Sequence, residues 1–138
     1  MSKFSIYYDP DSLKPLCEKS PFKLKKDLKG IDQETLDEIA EEIVNEIYNG
    51  LDSRPSAKAL YWGKERKAAC AKIRVLDIAR KEGKSHGYRC VVLVDYKSCC
   101  IFLLHLYRHS HGEDKNISTK DKNKLKELVD EYILSLEQ

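Results

Sequence analysis

Apolar side chains return every three or four residues along one early stretch, at Leu36, Ile39, Ala40, Ile43, Val44, Ile47 and Tyr48. That spacing is the period of an α-helix with one face turned to a core. Asp37, Glu38, Glu41, Glu42, Asn45 and Glu46 fill the other face, Asp32 stands at the N-cap position, and Asn49-Gly50 supplies the stop. A second stripe, Leu125, Leu128, Val129, Tyr132 and Leu136, follows Ser118 as cap and Asp121 in the first turn. Lys120, Lys122, Lys124 and Lys126 form its solvated side.

Between the two helices the pattern changes to short apolar runs of strand length. Residues 71–78, 86–95 and 99–107 read as three strands, the last two built around Val91-Val92-Leu93-Val94 and Ile101-Phe102-Leu103-Leu104. Asp95-Tyr96-Lys97-Ser98 fits a short hairpin connection. Residues 3–9 form a β-prone segment ended by Asp9-Pro10. Residues 10–30 are lysine-rich and broken by Pro10, Pro15, Pro21 and Gly30, with short helices predicted at 12–19 and 23–28. Arg54-Pro55 marks a turn, and residues 57–69 hold the only tryptophan, Trp62, which with Tyr61 reads as core or as a stacking face for a base. The sequence therefore predicts one α+β domain over residues 1–138, a small twisted, mainly antiparallel sheet (an N-terminal strand plus a three-strand meander) with helices packed on it.

Charge changes the picture. The net charge is only +2, but residues 55–111 carry 12 Lys/Arg against 4 Asp/Glu and all 4 histidines, while both flanks are acidic. A basic centre of this kind suggests a localised polyanion site, the alternative being a solvated face. Lys72, Arg74, Arg80, Lys81, Lys84, His86 and Arg89 precede or open the second strand of the meander, and Arg108, His109 and His111 leave the third. Antiparallel pairing would gather them at one end of the sheet. Five cysteines without CxxC spacing argue against a disulfide framework and fit a reducing compartment. No apolar run approaches the roughly 20 residues of a membrane span, and the N-terminus lacks a secretory pattern, so the expected location is the cytoplasm.

No phosphate loop, GxSxG or HExxH occurs, and carboxylates are sparse in the central segment, which disfavours a magnesium nuclease. Cys99 or Cys100 with His109 and His111 match no common zinc spacing, and neither a metal nor another cofactor is expected. The cations fit metal-free RNA cleavage, in which the substrate's own 2′-hydroxyl attacks the adjacent phosphorus. One group removes that proton, cations stabilise the phosphoryl oxygens, and another group protonates the leaving 5′-oxygen. The same groups would also serve an RNA- or protein-binding module that cuts nothing. His105, inside an apolar strand, reads as a hydrogen-bonded core or interface residue, and Tyr88 and Tyr107 as packing residues.

Lys72-Ile73-Arg74, then Gly83-Lys84-Ser85-His86-Gly87-Tyr88-Arg89, then the run from Ile101 to Ser110, and Asn116-Ile117-Ser118 before the last helix resemble the RelE/HigB group of bacterial type II toxins. The resemblance covers roughly residues 57–138; the region before it is longer than usual, an extended strand–helix segment. His86 departs from the usual glycine, and the loop from Val75 to Lys84 is long. The resemblance implies a RelE-like fold and a ribosome-dependent messenger-RNA interferase, active on messenger RNA in the ribosomal A site and neutralised by a cognate antitoxin in a hetero-oligomer. It implies Lys72 as general base or phosphate ligand beside Arg74, Arg89 as stabiliser of the scissile phosphate and His109 as general acid. Lys84 and Arg108 would bind flanking phosphates, Arg80 and Lys81 ribosomal RNA, with His86 and His111 at the same basic end. The related ParE-like reading, a gyrase poison on the same fold, usually lacks this full set of basic groups.

Overall fold

The computed structural model describes residues 4–75, 87–108 and 117–137. Its elements in chain order are β1 (Ser5–Tyr7), α1 (Lys14–Lys19), α2 (Leu24–Asp27), α3 (Gln33–Tyr48), β2 (Ala57–Trp62), a 3-10 turn (Lys64–Arg66), β3 (Ala68–Val75), β4 (Tyr88–Asp95), β5 (Cys100–Arg108) and α4 (Thr119–Leu136).

The expected α+β class holds. The strands form one open sheet in the order β1-β5-β4-β3-β2, antiparallel except for the parallel β1–β5 pair. Where described, the N-terminal strand and the meander are as expected, with β3 beginning at Ala68 rather than at residue 71; the predicted strand positions 3, 76–78 and 86 lie outside the described residues. β2 is a further strand, drawn from the segment around Trp62 that has no clean alternation because a bulge at Leu60 interrupts its pairing with β3.

Helices cover both faces. On one, Leu36, Ile39, Ile43 and Ile47 of α3 pack with Ile73, Val75, Cys90, Val92, Ile101, Leu103 and Leu106. On the other, Leu125, Leu128, Val129 and Ile133 of α4 pack with Cys70, Val91, Leu93 and Leu104. β4 is therefore buried along its whole length, and each of Val91 to Val94 contributes about 1.5–3 kcal/mol of transfer free energy.

Both predicted caps form. The Asp32 carboxylate accepts the Thr35 N–H at 2.7 Å, and the Ser118 hydroxyl accepts the Asp121 N–H at 3.1 Å. Two helix positions differ from the stripe pattern. Tyr48 is exposed, whereas Glu46, expected on the polar face, is only 2% exposed. The chain after α3 folds back over Glu46, and its carboxylate receives Arg54 Nη2 at 2.5 Å and the Ser56 hydroxyl at 2.6 Å. A buried carboxylate is tolerable when its lone pairs are matched in this way. Asp95, fully buried, does similar work at the hairpin: one oxygen accepts the N–H groups of Lys97 and Ser98, the other the Tyr132 hydroxyl of α4 at 2.6 Å.

Candidate functional site

Residues directly opposite each other on antiparallel strands point to the same face. Arg74 pairs with Arg89, and Arg89 pairs with Tyr107, so these three form one row across β3, β4 and β5. The next row runs Lys58, Lys72, Val91, His105 across β2 to β5. Both rows lie on the α4 face of the sheet, because Val91 belongs to the α4-side core. Lys58, Lys72, Arg74, Arg89 and His105 thus share one end of one face. Lys72 and His105 are each diagonal neighbours of Arg89, about 7–8 Å away between α-carbons.

The cations differ in depth. Lys72 and Arg74 are half-buried, while Arg89 is only 3% exposed. Arg89 lies beneath the surface of this patch rather than on its rim. Arg108 is on the other face, paired with Tyr88; its Nη2 donates to the Tyr88 hydroxyl at 2.9 Å and its guanidinium lies 5.0 Å from the ring centre. Of the other sequence candidates, Arg80, Lys81, Lys84, His86, His109 and His111 fall outside the described residues.

His105 is the residue whose setting the linear pattern hides. Strict alternation along β5 would put it with Ile101 and Leu103 on the α3 face. A bulge intervenes: Val92 pairs with Leu103 but Val91 pairs with His105, leaving Leu104 as the extra residue. The bulge turns His105 to the basic face. Its ring stacks on Phe22, with centroids 4.1 Å apart and planes 2° apart, and lies 4.8 Å from the Tyr107 ring. Its Nδ1 is 2.6 Å from Asp27 Oδ2, and the same oxygen accepts the Leu106 backbone N–H at 3.3 Å. An oxygen already accepting one hydrogen bond as a carboxylate assigns the Nδ1 proton to the imidazole. Neither Asp27 nor the bulge had any signal in the spacing of the chain, although a histidine inside an apolar strand was itself a mark.

Trp62 is not open to a base in the way the sequence allowed. Its ring stacks on Tyr96 at 5.7 Å, the Arg66 guanidinium sits 4.5 Å from its centre, and its N–H reaches Asp52 at 3.3 Å. Tyr61 donates to Asp130 at 2.7 Å and packs beside α4. Among the described residues no helix is long and apolar enough to cross a membrane, and no three His, Cys, Asp or Glu side chains are grouped as a metal would require. No protein-family model, curated protein or solved structure matches the chain.

Proposed function

We propose that this chain is the toxin of a type II toxin–antitoxin system, a metal-independent endoribonuclease that cuts messenger RNA on the ribosome by attack of the 2′-hydroxyl on the adjacent phosphate. The observation that carries the reading is the shared face of Lys72, Arg74 and Arg89, with the two arginines directly opposite each other. Cationic side chains gathered on one face suit the oxygens of a ribose-phosphate, and the resemblance of the Lys-x-Arg and GKSHGYR elements to the RelE/HigB toxins points the same way.

In this reading Arg74 contacts the phosphoryl oxygens, and the Lys72 amine takes the 2′-proton. Arg89 adds positive potential from below, where burial strengthens its field. A histidine protonates the 5′-oxygen; the sequence nominates His109. The partners are the message and ribosomal RNA in the cytoplasm, and an antitoxin that masks the basic face.

The test is induced expression followed by mapping of message 5′-ends. Cuts at codon boundaries in translated messages are expected, falling at least ~10²-fold in the Lys72→Ala/Arg74→Ala double variant, the loss typical of removing charge stabilisation. Growth arrest with intact messages and broken DNA would transfer the chain to the gyrase poisons. RNA bound but never cut would leave a binding module.

A further inference from the structure

We infer that His105, oriented by Asp27, is the proton donor to the leaving 5′-oxygen; the inference rests on the nuclease reading and assigns one of its steps. Three observations converge. The bulge at Leu104 brings His105 onto the face that carries Lys72, Arg74 and Arg89. The Asp27 carboxylate fixes the ring through Nδ1, and stacking on Phe22 removes its rotational freedom. The side chain remains 21% exposed, so the imidazole is held but reachable.

The ring's geometry completes the argument. The two nitrogens of an imidazole point in nearly opposite directions. Asp27 sits at the outer edge of β5, where it also takes the Leu106 N–H. With Nδ1 anchored there, Nε2 is the nitrogen left for a second partner. His105 and Lys72 occupy the same row two strands apart, roughly 10 Å between backbones. In this proposal the two side chains reach to either side of one phosphate at the surface, over the buried Val91 and Arg89. In-line displacement needs this arrangement, because the entering 2′-oxygen and the leaving 5′-oxygen lie on opposite sides of phosphorus.

The step balances as follows. The 2′-oxygen passes its proton to the Lys72 amine and forms the new bond to phosphorus. The P–O5′ bond breaks, and its electron pair takes the Nε2 proton of the His105 imidazolium. The products are a 2′,3′-cyclic phosphate and a 5′-hydroxyl, with Asp27 having balanced the imidazolium charge beforehand, in the manner of an orienting carboxylate.

A leaving-group experiment separates this role from any other. A defined message cut by the wild-type chain on a ribosome is resynthesised with sulfur replacing the 5′-bridging oxygen at the cut linkage. A thiolate leaves without protonation. His105→Gln is expected to cut the oxygen linkage ~10²–10⁴-fold more slowly and the sulfur linkage at near the wild-type rate. Asp27→Asn, at the positioning residue, shows the same selectivity with a smaller loss. Equal slowing on both linkages in a variant with the wild-type melting temperature overturns the assignment, as does selectivity appearing in His109→Gln instead. Should His105→Gln fail to fold, Asp27→Asn carries the discrimination alone, and equal slowing there is equally fatal. A wild-type chain that cuts neither linkage brings down the nuclease reading itself, which distinguishes the two failures.

Discussion

Arg74 and Arg89 are direct cross-strand partners on one face of the sheet, two guanidinium groups where opposite charges or apolar pairs are the stable choice. Arg74→Gln removes one of the two charges at a half-buried position and should leave stability within about 0.5 kcal/mol of the parent. The same change should weaken binding to a short unstructured RNA and reduce the salt slope by about 0.7, one phosphate contact fewer on a single strand. Urea midpoints and salt-titrated anisotropy measure the two. A variant that is less stable and keeps the full slope would make Arg74 a structural residue.

Gly63 is needed for closeness rather than for a special backbone shape, since its φ of −78° suits any residue. A Cβ there would collide with Ile133 Cδ1 and stand 2.8 Å from Val129 Cγ1, both on the buried face of α4. Gly63→Ala should cost about 1–3 kcal/mol, the usual result of overpacking, read as a lower denaturant midpoint with an unchanged slope. An unchanged midpoint would mean that α4 can shift freely on the sheet.

Three surface carboxylates among the described residues contribute to the acid limb of stability. Hydrogen bonding from Thr35 holds Asp32 below the ordinary range, the Tyr8 hydroxyl and then Gln33 do so for Asp37, and Lys67 followed by Lys64 for Glu137. A folded pKa below the unfolded one means that the unfolded chain binds more protons, so this stabilisation is present above about pH 4 and is lost as pH falls toward the lowered values. Tyr96 acts in the opposite direction: burial pushes its phenol up to about 12, so its contribution disappears as pH rises from about 10 through that value. Urea midpoints should fall on both sides. Asp32→Asn, which keeps a capping oxygen, should flatten the acid limb; an identical limb would exclude Asp32 from it.

Burial pushes the Cys70 and Cys90 thiols far up, whereas Cys17, Cys99 and Cys100 are partly accessible. A disulfide-exchange reagent should modify only the latter three in the folded protein and all five cysteines in denaturant. Native modification of Cys90 would show that β4 opens.

Much of this architecture was legible in the linear pattern, for a local reason in each case. α3 is announced by its period, its Asp32 cap and the Asn49-Gly50 stop, all of which lie within one segment. The apolar runs of β4 and β5 are equally self-contained. Glu46 escaped because its partners, Arg54 and Ser56, meet it only after the chain doubles back. β2 escaped because a bulge spoils its alternation, and the face of His105 was hidden for the same reason, although its place as a hydrogen-bonded residue in an apolar strand was legible. A bulge is a property of two strands in register, so neither strand announces it alone. The shared face of Lys72 and Arg74 follows from period two; the depth of Arg89 does not.

β1 pairs with β5 only from Cys100 to Phe102. Its brevity leaves the remaining rim of β5 to α2, and Asp27 docks there on Leu106 and His105. A three-residue strand thus acts as a spacer: extended by about four residues, to the level of Leu106, it would compete with the helix for that rim and displace Asp27 from His105. The length of the amino-terminal strand and the setting of His105 cannot be altered independently, and grafting a longer leader strand onto this scaffold changes the basic face as well as the edge.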